Sequence, residues 1–159
     1  MIQDKGSILV SVIASPLPGD LVLDVCAAPG AKTTHLAQLM QNRGTIYSVD
    51  KSSARMSFWK REVSRLGVEI AHPLLADATK PIPANVQADL VVLDPPCSNT
   101  GTFWKSPRTK WIATPEGTHQ LAKTQWAMLQ NVSHFVREGG TLVYSTCSIL
   151  AEEHEQIVN

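Results

Sequence analysis

The chain has 159 residues, 14 basic and 14 acidic side chains, and 43% hydrophobic against 18% charged residues. That is one domain's worth of chain with enough apolar material for a single core, which excludes disordered and fibrous classes. No apolar run nears the ~20 residues of a membrane span, the opening MIQDKGSILVSVIA lacks the basic-then-apolar layout of a secretory signal, and zero net charge leaves any polyanion to be held by a local patch or by protein outside this chain.

The first strand is expected at Leu21 to Val25, an apolar run interrupted by Asp24 and closed by the Pro29-Gly30 turn. A helix over Thr33 to Met40 follows, then a strand from Thr45 to Val49 that ends at Asp50. Ser52 can cap a helix whose apolar residues Met56, Trp59, Val63 and Leu66 recur every three or four positions, with Gly67 as its stop. A weaker strand around Val68 to Leu75 ends at Asp77, and the buried run Leu90 to Leu93 leads into Asp94-Pro95-Pro96. Thr114-Pro115-Glu116 starts a helix that carries Leu121, Met128, Leu129, Val132, Phe135 and Val136 and ends at Gly139-Gly140. Thr141 to Tyr144 is a fifth strand, and Leu150 to Val158 a last helix. Continuous apolar strands alternating with helices predict an α/β protein, a doubly wound, mainly parallel sheet with helices on both faces.

Such sheets bind ligands outside the carboxyl ends of their strands. Those ends carry DVCAAPGAK at 24–32, Asp50, Asp77, DPPCS at 94–98 and STCS at 145–148. The small residues Cys26, Ala27, Ala28, Pro29, Gly30 and Ala31, followed by Lys32, let a ligand approach the backbone closely. Asp50 stands 20 residues after Gly30, the offset of an acid that accepts hydrogen bonds from ribose hydroxyls. Neither a GxGxxG fingerprint nor a phosphate-binding P-loop is present. A ribose-bearing ligand without a cradled pyrophosphate therefore fits best, which points to S-adenosylmethionine. Asp77 could accept a hydrogen bond from the adenine amine or simply cap its own loop.

The three cysteines, Cys26, Cys97 and Cys147, form no CxxC pair, which argues against a disulfide scaffold and a metal site and leaves a reducing, cytoplasmic setting. Asp-Pro-Pro after a buried strand resembles the loop of methyltransferases that act on planar nitrogen centres, but Cys97 stands where those enzymes place a stacking ring. Two thiols at neighbouring strand ends suit one reaction. Carbon 5 of cytosine is too weak a nucleophile for methylation until a thiolate adds at carbon 6. Asp94 would balance charge near ring nitrogen 3, and a second thiolate could help remove the carbon-5 proton.

Together, LDVCAAPGAKTTHLAQ, YSVDKSSAR, LLADAT, VVLDPPCSNTGT and LVYSTCSILAEEHEQIV resemble the Nop/Sun family of RNA cytosine-carbon-5 methyltransferases. The resemblance covers essentially the whole chain. It implies a Rossmann-like class I methyltransferase fold and one catalytic domain over residues 1–159, forming 5-methylcytosine in ribosomal or transfer RNA. It makes Cys147 the nucleophile and Cys97 the residue that assists product release. Cys26 to Lys32, Asp50, Asp77 and Asp94 fall on the positions that contact S-adenosylmethionine. DNA cytosine methyltransferases use the Pro-Cys cysteine instead, so the reverse assignment stays open, as do a DNA methyltransferase and a catalytically weak cofactor-binding module of an RNA-processing assembly. Ala31 replaces the family's usual glycine. The family domain continues with two further strands and many members carry an RNA-binding region, so the sequence reads as a domain cut short after its fifth strand.

FWKSPRTKW at 103–111 interleaves Lys105, Arg108 and Lys110 with Phe103, Trp104 and Trp111, a composition suited to single-stranded RNA. Arg55, Lys60, Arg61 and Arg65 read as the wet face of their helix, and Glu152, Glu153 and Glu155 as acids favoured early in the last helix.

Overall fold

The computed structural model describes residues 3–159. In chain order, α1 spans Lys5–Ala14, β1 Leu21–Val25, α2 Ala31–Leu39, β2 Thr45–Asp50, α3 Ser53–Arg65, β3 Ala71–Leu75 and β4 Ala88–Leu93. A 3-10 turn at Thr100–Thr102, α4 at Thr109–Ile112, α5 at Pro115–Ser133, β5 at Val136–Tyr144, a second 3-10 turn at Ala151–Glu153 and α6 at Glu155–Val158 complete the chain. The five strands form one sheet in the order β3-β2-β1-β4-β5, with every pairing parallel. The doubly wound α/β expectation is met, and the order reverses between β1 and β4, where such folds open a crevice.

The central strands are buried on both faces, as parallel sheets require. Leu23, Val25, Val91 and Leu93 pack with Met128 and Val132 of α5 on one side. Val22, Leu90 and Val92 pack with Leu36, Ala37 and Met40 of the α2 region on the other. Helix α3 adds a smaller cluster in which Met56, Trp59 and Val63 meet Ala27 and Ala28 of the first loop. The capping readings hold: Ser52 Oγ accepts from Arg55 N, and Thr114 Oγ1 accepts from Gly117 N with Pro115 opening the helix. Among the described residues no helix is long and apolar enough to cross a membrane.

Two expectations need correction, and one element was not expected. The long helix ends at Ser133, not at Gly139-Gly140. Asn131, Val132, Ser133 and His134 are weak helix formers in succession, and Val136 pairs with Ala88 instead. The two glycines lie inside β5, where β4 runs from Ala88 to Leu90 while β5 runs from Val136 to Thr141. Gly139 at φ +74° supplies the left-handed turn of that bulge. The last helix is also broken, because the Tyr144 hydroxyl donates to the Glu153 carbonyl at 2.8 Å and draws it out of a continuous helical ladder. Finally, α1 was not expected. Its Ile8, Leu9, Val12 and Ile13 face outward while Ser11 and Ala14 are buried, the reverse of the usual pattern. Replacing Thr114 by Ala removes the α5 cap and should cost about 1 kcal/mol in urea unfolding, with an unchanged m-value.

Candidate active site

The first loop is built to bring backbone close to a ligand. Cys26 turns left-handed at φ 64°, Ala27 and Ala28 are buried, and Gly30 opens α2. Beneath it, the wholly buried Asp24 accepts a hydrogen bond from Thr33 Oγ1 at 2.5 Å, and Trp59 Nε1 donates to the same hydroxyl at 3.0 Å. Burial pushes the Asp24 carboxyl up to about 6 despite the Thr33 bond. Its Oδ1 has no partner among the described residues.

Asp50, at the end of β2, is tied to this loop. Its Oδ2 accepts from Ala28 N at 3.3 Å and pairs with Arg55 at 3.3 Å, while Oδ1 accepts from Ser52 N at 2.9 Å. Arg55 also donates to the Ala28 carbonyl. Read from sequence as part of a wet helix face, Arg55 is indeed exposed, and it also clamps the first loop to Asp50. The clue was its position in the first helical turn after Asp50. Between the strand ends lies a cavity of about 110 Å³, walled by Cys26, Val49, Ala76, Ala78, Pro96 and Met128 and edged by Asp50 and Arg55. Apolar walls with a carboxylate at the rim suit a flat ring joined to a ribose. Asp77 caps its own loop, accepting from Thr79 N at 3.0 Å and Thr79 Oγ1 at 2.8 Å, and these bonds hold its carboxyl below the usual range.

The register of β4 and β5 sets Leu93 opposite Tyr144, so DPPCS and STCS leave the sheet side by side. Asp94 Oδ2 pairs with Lys32 Nζ at 2.6 Å, and Asp94 Oδ1 accepts from Ser145 Oγ at 3.1 Å. Cys97 Sγ and Cys147 Sγ are 3.0 Å apart. Cys147 Sγ also lies 2.8 Å from Asn99 Oδ1, and Asn99 Nδ2 donates to the Cys97 carbonyl at 3.0 Å. The shared proton lowers the Cys97 thiol to about 7 against its burial, and the same hydrogen bond raises Cys147. The pair therefore gives up one proton easily and the second with difficulty. Cys26, held 4.0 Å from Met128 Sδ, is pushed up to about 12, first by burial and then by the charges of Asp50 and Asp94. It is a packing residue on the edge of the ring slot.

Both thiol loops need close backbone contact. Gly101 N donates to the Cys147 carbonyl at 2.9 Å, and a Cβ on Gly101 would stand 2.8 Å from that same oxygen. Behind the thiols, the wholly buried Glu153 accepts from Ser98 N at 2.9 Å, from Ser98 Oγ and from Gln125 Nε2 at 3.0 Å. Sequence reasoning placed Glu153 among the acids at a helix start. The structure turns it inward, and nothing in its local pattern separates it from exposed Glu152.

A second cavity of about 500 Å³ opens beside Cys147, lined by Lys32, Asp94, Gly101, Trp104, Lys105 and Ser145 among others. It joins Trp104 and Lys105 of the FWKSPRTKW segment to Cys147. Trp104 is 76% and Trp111 86% exposed, so these rings do not pack inward. Lys105 lies over the Trp104 ring at 4.7 Å and Lys110 over Phe103 at 5.6 Å, and Lys105 also pairs with Asp4. Of these groups, the exposed Trp104 ring and Lys105 border the cavity, together with Lys32.

The fold and site define a doubly wound protein with a crevice at the β1–β4 reversal and paired thiols beside it, which is the layout of a Rossmann-like methyltransferase. The model of the 16S rRNA methyltransferase RsmB/F family matches residues 11–159, and the chain belongs to this family. It is 37% identical over 160 residues to the probable ribosomal RNA small subunit methyltransferase B of Bacillus subtilis, covering 99% of this chain and 36% of that protein. It is 37% identical over 156 residues to the tRNA (cytosine(72)-C(5))-methyltransferase of Pyrococcus horikoshii, covering 96% of this chain and 39% of that one. The crystal structure of NSun6 from Pyrococcus horikoshii with SFG superposes with a TM-score of 0.91 at 35% identity, over 98% of this chain and 40% of that one. The chain thus spans a little over a third of the length of these relatives.

Two outcomes test this geometry. Alkylation of Cys97 by iodoacetamide should be half-maximal near pH 7, where its lowered pKa lies. In Cys147→Ala the side-chain bond that lowers it most is gone, so the profile should move to higher pH. Gly101→Ala should displace the Cys147 turn and lower unfolding free energy by about 1–3 kcal/mol.

Proposed function

We propose that this chain is the catalytic domain of a cytoplasmic, S-adenosylmethionine-dependent RNA methyltransferase that forms 5-methylcytosine in ribosomal or transfer RNA. The observation that carries the reading is the pair of thiols 3.0 Å apart at the mouth of the cofactor crevice. The family match, the names of the relatives and the aromatic-cationic border of the larger cavity support it.

The residues present fit the cofactor. The apolar slot would take the adenine, Asp50 the ribose hydroxyls, and the small Cys26–Ala31 loop the methionine end, with Lys32 and Asp94 beyond it. Asp77, capping its own loop, would meet the adenine edge from there. When bound, S-adenosylmethionine supplies a methyl group on a positively charged sulfur.

The chain's own residues do the rest. Cys97, which loses its proton to solvent first, takes the proton of Cys147 as the Cys147 sulfur adds to carbon 6 of the cytosine, forming a carbon–sulfur bond and placing the ring's electron pair at carbon 5. Lys32, held by Asp94, lends the proton that balances the negative charge arising at ring nitrogen 3 and takes it back when the ring double bond is restored. The carbon 5 so activated would take the methyl group that a cofactor held by these residues supplies from its sulfonium. Cys97, having passed that proton on to solvent, then accepts the carbon-5 proton. The released pair restores the ring double bond and expels Cys147 as thiolate. Trp104 and Trp111 offer stacking faces, and Lys105, Arg108 and Lys110 offer cations, to the bases and phosphates around the target.

RNA carrying 5-fluorocytosine should trap a covalent adduct on denaturing gels in the presence of S-adenosylmethionine. Cys147→Ala should abolish the adduct, and Cys97→Ala should retain it and slow release of methylated RNA on unsubstituted substrate. The opposite pattern would reverse the two roles. Labelled methyl transfer to DNA but not RNA would sink the reading.

A further inference from the structure

The residue after each thiol is a serine, Ser98 after Cys97 and Ser148 after Cys147. The two hydroxyls lie 3.3 Å apart, and Thr100 Oγ1 joins them at 3.2 Å from Ser98 Oγ and 3.0 Å from Ser148 Oγ. Glu153 closes this cluster from below. It grips Ser98 through both backbone N–H and hydroxyl, and Gln125 Nε2 bridges from Glu153 to the Pro96 carbonyl at 2.9 Å. The Glu153 carbonyl in turn receives the Tyr144 hydroxyl, which also donates to Gln125 Oε1 at 3.1 Å. Burial alone would raise this carboxyl. The hydrogen bonds of Ser148, Ser98 and Gln125 outweigh it and hold Glu153 below the usual range, so it is an anion at neutral pH. A buried carboxylate is tolerated only when its oxygens are filled, and here they are filled by the two loops that carry the thiols.

We infer that Glu153 is a positioning residue for the cysteine pair. By holding Ser98 on one loop and, through the Ser98, Thr100 and Ser148 hydroxyls, the turn after β5, it keeps Cys97 and Cys147 within reach of a shared proton and of the same substrate ring. It lines neither the ring slot nor the larger cavity. Its action passes through the backbone of Ser98, one residue from Cys97, and through the turn one residue beyond Cys147. The inference rests on the cysteine roles proposed above, but the spacing of the thiols can be read without RNA.

Glu153→Gln keeps the side chain's size and loses one acceptor and the charge. Phenylarsine oxide, which binds two thiols at once, reads the spacing directly. The wild-type chain should take up one arsenical at the expense of two titratable thiols, and Glu153→Gln should bind it at least tenfold more weakly, with Cys97 and Cys147 each still open to alkylation. In methyl transfer, kcat should fall at least tenfold while the KM for S-adenosylmethionine and the affinity for S-adenosylhomocysteine stay within twofold. Unchanged arsenical binding and kcat would overturn the inference. So would a loss of S-adenosylhomocysteine affinity in step with kcat, which is the mark of general loosening. If thermal denaturation shows that the Gln variant does not fold, Ser98→Ala replaces it. That variant removes one of the two Ser98 bonds, and it should weaken arsenical binding in the same direction by a smaller factor; no change would again overturn the inference. A wild-type chain that binds the arsenical but transfers no methyl group to cytosine would remove the RNA reading and leave the spacing result to decide on Glu153.

Discussion

The meeting of the two thiols depends on one register, the parallel pairing that sets Leu93 opposite Tyr144. From that point the two strands release loops of nearly equal reach. Cys97 lies four residues beyond Leu93 and Cys147 three beyond Tyr144. A slip of one residue would displace one thiol by ~3.3 Å along its strand, more than the whole 3.0 Å separation of the sulfurs. Register in a doubly covered parallel sheet is only weakly marked by alternation, because both faces are apolar. Here it is reinforced at the strand ends. Ser145 Oγ donates to Asp94, and Ser145 N donates to the Leu93 carbonyl at 2.9 Å. At the opposite end the Gly139-Gly140 bulge absorbs the mismatch in length, and Arg137 pairs with Asp89 at 2.6 Å.

The cofactor side is organised by a different logic, with carboxylates that serve the protein before they serve a ligand. Asp24 never reaches the crevice surface. It anchors Thr33, which anchors Trp59, whose ring packs against the Ala27 and Ala28 turn. Asp50 works on both sides, because its oxygens already hold Ala28, Ser52 and Arg55. A ribose arriving there would meet an acceptor fixed in direction by its existing bonds. That prior fixing is the physical meaning of preorganisation and reduces the ordering cost of binding.

Much of this was legible in the sequence, for stated reasons. Strand positions came from continuous apolar runs and caps from Ser52 and Thr114, because these signals act within a few residues. The ligand end of the sheet followed from topology alone, and with it the convergence of Cys97, Cys147, Asp94 and Lys32. What escaped depended on contacts between distant segments. Arg55 was read by helical periodicity, although its guanidinium answers to Asp50 and Ala28. Glu153 was read by its neighbours Glu152 and Glu155, although its partners lie at Ser98 and Gln125. The α1 helix escaped because its apolar residues face outward, so the rule that apolar stripes mark the buried side pointed away from its packing face.

Pro73 gives the sheet two unlike borders. In β3, Ala76 N donates inward to the Asp50 carbonyl and Ile70 O accepts inward from Ile46 N, so the even-numbered residues face β2. Pro73 therefore turns its backbone nitrogen to the outer side, in the middle of a five-residue strand, and that nitrogen carries no hydrogen to offer. An incoming strand at this border would find the central rung of its ladder missing. The β3 border is thereby protected from templated addition and edge-to-edge aggregation, and backbone pairing that extends the sheet is directed to the opposite side, along β5 and next to the thiols.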